Sequence, residues 1–477
     1  MSIGAHSGRR DWWPAALFGA HLIQVLCIAH WHPVQLFDPD LLAYFTYFRN
    51  WLASDTSLYG VPYFTHPKPL LVFSLGPLGN VWWAFSCSAI ASAFLGSLVY
   101  IIGRDAFGRL AGILLSGFLL IDQSKALLTL RSSADLYITL LLFLMIYLCG
   151  RGRLGLASVS LFLSALIKPV TLPCALCFVA NEDRRKSAWL WALIPFLALP
   201  LTLWSNRVLL GSAFASEHFL LDFAAMRDTQ PIAFGEVLHF VVWKQLVQNR
   251  FMSTAPLGFI GLLLWLAGDR RRLTSPLFLA PLLFVGGYAA LSLASPYMPF
   301  FRFFLPVEIW FLGFLIFGLL ETARQLAGGR GWVKGAVAVL LMFFLTNDFV
   351  LRAERYRDTF AVPFEKSMTF VQTAVEVMMQ KPASRERILA PLGVLPYLVW
   401  ELKSRGSSDV ILTAEQVALD GTAARAEWVL HVPPSYASDK ARDYVARMIA
   451  AGGYEVRLTD GVAALLRLAE PPAATSN

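Results

Sequence analysis

The chain runs as blocks of about 15–22 mainly apolar residues separated by short basic punctuation, and few architectures accept that pattern. Trp12 to Trp31, Val81 to Ile102, Trp189 to Trp204, Pro276 to Leu293 and Val333 to Phe349 are examples. Such blocks read as helices crossing a bilayer, where backbone polar groups can be satisfied only within the segment itself. Composition agrees: 57% of the 477 residues are hydrophobic and 15% charged, against roughly a quarter charged in an ordinary soluble domain. The first block follows Arg9 and Arg10 as a secretory signal would. It is too long for a signal's apolar region, lacks a small-residue cleavage site and precedes many further spans, so it reads as the first helix.

The net charge of +8 does not point to nucleic acid, because of where the basic residues lie. Arg9/Arg10, Arg104/Arg109, Arg151/Arg153, Arg184/Arg185/Lys186, Arg270/Arg271/Arg272 and Arg324/Arg330/Lys334 all fall in short loops between apolar blocks. Lys and Arg in short loops mark the cytoplasmic side, so the basicity is topology rather than a polyanion-binding surface. With these loops inside, about eleven crossings leave the C-terminus outside the cytoplasm. The expected spans are 12–31, 81–102, 110–128, 134–149, 154–167, 169–180, 188–206, 254–268, 276–293, 306–320 and 333–350. Residues 154–180 are too few for two full crossings. A pair of short helices meeting at Lys168-Pro169 satisfies the charge rule, provided that Lys168 sits in protein or a wet cavity. One long helix with flipped downstream topology is the alternative.

The fold class expected is therefore mainly α, a polytopic membrane protein over residues 1–350, with long outer loops at 32–80 and 207–253. Leu41, Leu42, Phe45, Phe48 and Leu52 recur at helical spacing, as do Phe234, Val237, Leu238, Val241, Val242 and Leu246; both stretches read as amphipathic helices on the outer membrane surface. Residues 351–477 carry ordinary charge density. Arg387–Pro391, Val410–Thr413 and Trp428–Val432 read as strands, Leu392–Ser404 and Asp439–Ala450 as helices, and Tyr454–Leu458 with Ala463–Leu468 as a closing hairpin. That is a small extracytoplasmic α/β domain, with no phosphate loop or metal-spaced cluster. Cys174-x-x-Cys177 has redox or metal spacing, but its apolar setting favours a packing role.

Phe37-Asp38-Pro39-Asp40 follows the first span and leads into the first amphipathic helix. Two carboxylates at the membrane's outer edge suit a general base or a metal ligand, although Asp40 before Leu41-Leu42-Ala43 also fits a helix N-cap. Downstream come Tyr63-Phe64-Thr65-His66-Pro67-Lys68-Pro69, Ser132-Ser133-Ala134-Asp135, Leu166-Ile167-Lys168-Pro169-Val170, Ser295-Pro296-Tyr297 and Arg302-Phe303-Phe304-Leu305-Pro306.

In this order and spacing the chain resembles the GT-C superfamily of membrane glycosyltransferases over about residues 12–320. The branch holding bacterial lipid A aminoarabinose transferase and the protein O-mannosyltransferases looks nearest. The resemblance implies a bacterial inner-membrane enzyme that moves a sugar from a polyprenyl-phosphate donor to an acceptor hydroxyl on the extracytoplasmic face, with inversion. The acceptor would be a lipid-linked glycan, a polysaccharide or a protein. It makes Asp40, with Asp38 beside it, the catalytic carboxylate, and Lys68, Lys168 and Arg302 the donor-phosphate cations. His66, Tyr63, Tyr297 and Asp135 are supporting candidates, and a divalent metal is an open possibility. The sequence departs from the family pattern in four places: Pro39 splits the acidic pair, His66 stands near where relatives carry Glu, the second Pro after Lys68 is missing, and Phe303 replaces Tyr.

The chemistry suits these residue types. A carboxylate takes the acceptor proton as the anomeric carbon leaves phosphate, and fixed cations stabilise the charge gathering on that phosphate. A transporter or flippase for lipid-linked sugar is the reading from another class; it expects internal repeats and midplane ionisable residues, neither of which is plain here. A GT-C-like polymerase or ligase using pyrophosphate-linked glycan would differ in donor chemistry.

Overall fold

The computed structural model describes residues 11–31, 39–53, 68–180, 185–213, 255–294, 304–326 and 365–380 continuously. It also describes shorter C-terminal segments, among them 386–391, 410–414, 426–431, 439–451, 453–459 and 463–468, and isolated residues between.

The membrane part is a run of apolar helices whose ends are set by local chemistry. They are α1 (Trp13–Trp31), α2 (Pro39–Ala53), α3 (Pro69–Leu75), α4 (Val81–Phe107), α5 (Arg109–Leu120), α6 (Gln123–Leu130), α7 (Ala134–Gly150) and α8 (Leu154–Ile167). A 3-10 stretch, Pro169–Ala175, leads to α9 (Leu176–Val179), followed by α10 (Arg185–Leu193), α11 (Ala198–Leu210), α12 (Ala255–Ala267), α13 (Pro276–Ala294) and α14 (Leu305–Leu326). Helix α4 starts where the Asn80 side chain accepts from the backbone N–H groups of Trp82 and Trp83, at 2.8 and 3.2 Å. Helix α8 stops at Lys168 because the following Pro169 forces Lys168 into an extended conformation (φ −144°, ψ 115°).

Four helical segments are long and apolar enough to cross a bilayer, Trp13–His30, Val81–Phe107, Ala188–Leu210 and Leu305–Gln325. A fifth is available if α5 and α6, bent by 57°, count as one span. Exposed Ile23 on α1, Ile90 on α4 and Leu203 and Trp204 on α11 give these helices the apolar outer surface a bilayer requires. The chain is a multi-pass membrane protein. Helices 134–150, 154–167, 255–267 and 276–291 are apolar but shorter, and the expected span 333–350 lies outside the described residues apart from isolated positions.

Three expectations change. Residues 110–128 are a bent pair rather than one straight helix. The stretch after Lys168 is a 3-10 segment running into one α-turn rather than a short α-helix. Helix α2 exists, but Leu41 to Tyr47 are buried on every side, so its first two turns are inside the protein rather than laid on a surface. The proposed second amphipathic helix, 234–246, lies outside the described residues apart from His239.

Small residues bring the helices together. A Cβ on Gly261 of α12 would meet the Phe314 carbonyl of α14 at 2.0 Å, and one on Gly112 of α5 would meet the Tyr100 carbonyl of α4 at 2.6 Å. Where lipid is as apolar as the side chains, such close backbone approach replaces hydrophobic exclusion as the reason to associate.

The C-terminal part holds α15 (Glu365–Met379), α16 (Asp439–Ala450) and a five-stranded sheet of order β2-β1-β3-β5-β4. The strands are β1 (Arg387–Ala390), β2 (Val410–Thr413), β3 (Trp428–His431), β4 (Tyr454–Thr459) and β5 (Ala464–Leu468). Strand β1 pairs in parallel with β2 and β3, while β5 pairs antiparallel with β3 and β4. All five strands, the closing hairpin and α16 match the sequence expectation. Leu389, Val429 and Leu466 pack with Val445 of α16, whereas their neighbours Ile388, Leu430 and Leu465 join the main core with Val371 and Val375 of α15. This two-residue alternation is what a sheet covered on both faces needs.

Candidate active site

Two Lys-Pro steps carry the described cations of the site. In each, the proline bars the lysine from helical φ/ψ and itself occupies the first helical position, where no N–H is needed. Lys68 (φ −105°, ψ 101°) precedes α3, and Lys168 precedes the 3-10 segment. Lys68 is buried, and its Nζ donates to the Tyr44 hydroxyl at 2.6 Å, with the ammonium 5.1 Å from the Tyr44 ring centroid. Tyr44 belongs to α2, one helical turn after position 40, so the two positions share a helix face. Helix α3 packs against α8, so the element opened by one lysine touches the element closed by the other.

Lys168 has a different partner. Its Nζ donates to Asp135 Oδ1 at 2.5 Å and reaches the Tyr288 hydroxyl at 3.5 Å. Asp135 is buried in the first turn of α7, and its backbone N–H donates to the hydroxyl of the N-cap residue, Ser133, at 3.4 Å. Tyr288 is delivered by a close approach. A Cβ on Gly287 would meet the Val170 carbonyl at 2.3 Å, so only glycine lets α13 lie this near the turn after Lys168. The Tyr288 ring packs on Phe304, 5.5 Å between centroids, just before α14.

The turn before Asp135 is strained. Helix α6 closes with Ser133 N–H donating to the Leu128 carbonyl at 2.9 Å and Ser132 N–H to the Thr129 carbonyl at 3.1 Å. This is the helix-ending motif that places its penultimate residue in left-handed space, normally a glycine. Here it is Ser132, with φ 49° and a buried hydroxyl that has no hydrogen-bond partner among the described residues. Ser133 closes α6 and caps α7 at once, so no slack separates the two helices.

Of the residues expected from sequence, the structure brings together Lys168 and Asp135. It sets Lys68 against Tyr44, which sequence reading did not single out despite its four-residue spacing from Asp40. Asp40 lies in the first turn of α2 rather than at its N-cap, because the helix already begins at Pro39. The Asp40 side chain lies outside the described residues, as do Asp38, Tyr63, His66, Tyr297 and Arg302. Among the described residues no group of three or more His, Cys, Asp or Glu could hold a metal. Cys174 and Cys177 are buried, and the Cys174 thiol donates to the Ala280 carbonyl at 3.4 Å, a packing contact between the 3-10 segment and α13.

No protein-family profile matches the chain, and no curated protein matches its sequence. Solved structures do. The archaeal oligosaccharyltransferase AglB from Archaeoglobus fulgidus, in complex with an inhibitory peptide and a dolichol-phosphate, is similar at TM-score 0.55 and 12% identity, over 96% of this chain and 74% of that one. ArnT from Cupriavidus metallidurans, bound to undecaprenyl phosphate, aligns over 97% of this chain and 100% of its own, at 14% identity and TM-score 0.47. At such identities the likeness speaks to the fold, and AglB carries it. The chain shares its fold with that oligosaccharyltransferase, a likeness in keeping with the resemblance its ordered motifs carry.

Proposed function

We propose that the protein is a glycosyltransferase that moves a sugar from a polyprenyl-phosphate donor to an acceptor hydroxyl on the extracytoplasmic face, with inversion. The observation that carries this reading is a buried Lys68 and a half-buried Lys168, each fixed by a Lys-Pro step in a GT-C fold. Cations held in place before the reaction stabilise a leaving phosphate without reorganising, which is where such an enzyme gains most. Undecaprenyl phosphate and dolichol-phosphate, named with ArnT and AglB, are the kind of lipid such a site would hold.

In this reading Asp40 is the general base and Asp38 its neighbour, Lys68 and Arg302 contact the donor phosphate, and the Lys168–Asp135 pair sets the far wall of the phosphate site. Tyr63, His66 and Tyr297 line it, and a divalent metal, if used, would draw on Asp38, Asp40 and His66. Arg302 stands two residues before Phe304, whose ring packs on the Tyr288 that meets Lys168. Residues 1–350 form the catalytic unit, crossing the bacterial inner membrane about eleven times, and 351–477 form an extracytoplasmic domain that shapes acceptor access. The acceptor is a lipid-linked glycan, a polysaccharide or a protein.

Membranes carrying the protein, supplied with a panel of polyprenyl-phosphate sugars, should release polyprenyl phosphate and label a membrane acceptor. Asp40→Asn should lower that rate by about 10²- to 10⁴-fold, as loss of a general base does, whereas loss of a first-turn charge that only favours the helix dipole would cost about 0.3–1 kcal/mol of stability. A folded Asp40→Asn at wild-type rate beside an inactive Asp38→Asn would exchange the two roles. Activity in both variants would defeat the carboxylate-base assignment, and a wild-type protein that releases no polyprenyl phosphate from any donor of the panel would defeat the enzyme reading.

A further inference from the structure

A second polar cluster lies inside the helix bundle, away from both Lys-Pro steps. Lys125, in the first turn of α6, is completely buried. Its Nζ donates to His21 Nδ1 at 2.7 Å and to Gln24 Oε1 at 2.8 Å, both on α1. His21 Nε2 lies 3.1 Å from Ser116 Oγ on α5, and Ser116 Oγ donates to the Gly96 carbonyl on α4 at 2.9 Å. Since Ser116 spends its proton on Gly96, it accepts from His21, so His21 carries its proton on Nε2 and offers Nδ1 to Lys125. The chain of bonds runs in one direction, from Lys125 through His21 and Ser116 to the Gly96 carbonyl. Gln24 completes it, because its Nε2 donates to the Leu120 carbonyl, one of those left open where α5 ends.

Four helices are thus tied where a bent pair interrupts a span, the 57° break between α5 and α6. Ionisable groups at membrane depth are rare and costly, and an apolar side chain would hold a purely structural joint more cheaply. What α6 leads to supplies the reason. It runs from Gln123 to Leu130 and ends in the strained Ser132 turn, and its closing residue Ser133 is also the cap of α7 beside Asp135. Any shift or rotation of α6 passes without slack to Asp135 and through it to Lys168.

We propose that Lys125 is a positioning residue for the Asp135–Lys168 pair, holding α6 against α1 so that the pair keeps its place in the phosphate site. This rests on the functional reading above, in which that pair forms part of the phosphate site. The test uses the full-length protein in detergent and undecaprenyl phosphate as probe, and reads affinity and melting temperature separately. Lys125→Met keeps the volume and removes the donors; it should weaken undecaprenyl phosphate binding about 10- to 100-fold, the scale of a misplacement near 1 Å. Lys125→Arg restores two donors toward His21 and Gln24 and should recover affinity to within about threefold. A control lies on the same α1–α4 contact. Ser97 Oγ donates to the Pro14 carbonyl at 2.7 Å, and Ser97→Ala should lower melting temperature without changing affinity. Should Lys125→Met fail to fold, Gln24→Met, which breaks two links and leaves the lysine, should show a smaller loss in the same direction.

Wild-type affinity in folded Lys125→Met, or an affinity loss in Ser97→Ala equal to that in Lys125→Met, overturns the proposal. So does an Lys125→Arg variant that regains melting temperature but not affinity. The underlying reading fails on a different result: unchanged binding when Asp135→Asn and Lys168→Met are combined in a folded protein.

Discussion

Lys68 and Lys168 are built by the same local rule and end in different company. Both are held extended by a following proline, both open a helical segment, and both are buried or nearly so. Among the described residues Lys68 meets a phenol, which does not take up its positive charge, whereas Lys168 meets a carboxylate at 2.5 Å that takes most of it up. One rule of chain geometry therefore yields two kinds of cation. Lys68 is suited to attract an incoming phosphate, and Lys168 to hold a wall in place, because a buried ion pair is costly to break and contributes little net attraction to a third group.

The largest effect should come from breaking the pair. Lys168→Met takes from the buried Asp135 the ammonium it meets at 2.5 Å and should destabilise the protein by about 3–5 kcal/mol. Adding Asp135→Asn removes the stranded charge and should return most of that loss. Thermal melting of the two single variants and the double variant measures the coupling. If the double variant is no more stable than Lys168→Met, the pair is not the unit described here.

Lys68→Met tests the other half. Its neutral partner tolerates the loss, so melting should change little, while affinity for undecaprenyl phosphate should fall about 10- to 100-fold, the worth of a charge-assisted contact. Tyr44→Phe should cost several-fold at most, since it only frees one donor. A Lys68→Met protein that binds as tightly as the wild type would reverse the comparison and make Lys168 the phosphate cation.

How much of this was legible beforehand follows from what each feature depends on. Apolar period and turn residues are local, so every strand of the C-terminal sheet and most helix ends could be read directly. Lys168 and Asp135 could each be marked as candidates, but their pairing depends on how α7 meets α8, which no local pattern carries. The interior setting of α2 was missed because apolar spacing at Leu41, Phe45 and Phe48 looks the same for a surface helix and for a buried one edged with Tyr44, Thr46 and Tyr47. The Lys125–His21 link joins residues 104 positions apart, so sequence proximity gave no sign of it. Gly286-Gly287 before Tyr288 was the one overlooked hint, since paired glycines in an apolar helix signal a close approach.

A smaller effect separates the two ends of α7, which are closed by turns of the same geometry. At the other end Gly152 (φ 70°) occupies the left-handed position, with Gly152 and Arg153 N–H groups donating to the Cys149 and Leu148 carbonyls at 2.9 Å each. Glycine costs nothing there, while Ser132 at the Asp135 end carries steric strain and buries a hydroxyl that has no partner among the described residues. Gly152→Ala should lose about 1 kcal/mol or slightly more, and Ser132→Gly should gain about 1 kcal/mol. Strain of this kind persists where it serves a site, so the stabilised Ser132→Gly should bind undecaprenyl phosphate more weakly than the wild type. Equal affinity would make the serine a structural accident.

The smallest effect belongs to a carboxylate that is only partly withdrawn from solvent, and it calibrates the buried pair. Asp11 precedes α1 and accepts from the Tyr100 hydroxyl at 2.7 Å, from Arg104 at 2.8 Å and from the Trp13 backbone N–H at 3.3 Å. Partial burial pushes its pKa up, but these hydrogen bonds and the Arg104 charge together outweigh burial and hold it below the ordinary value of 3.8. A depressed carboxylate stabilises the fold fully above its unfolded pKa, and that stabilisation fades as pH falls through the lower, folded value. The difference in melting temperature between wild type and Asp11→Asn should therefore be constant at neutral pH and shrink only below about pH 4. Because the Asp11 and Arg104 side chains are 25% and 29% exposed, water screens the pair, and the whole effect should stay at or below about 1 kcal/mol. At neutral pH Asp135→Asn should lower the melting temperature several times more than Asp11→Asn, since Asp135 is shielded from water. If the two carboxylates cost the same, burial is not what distinguishes the Lys168 wall from an ordinary surface ion pair.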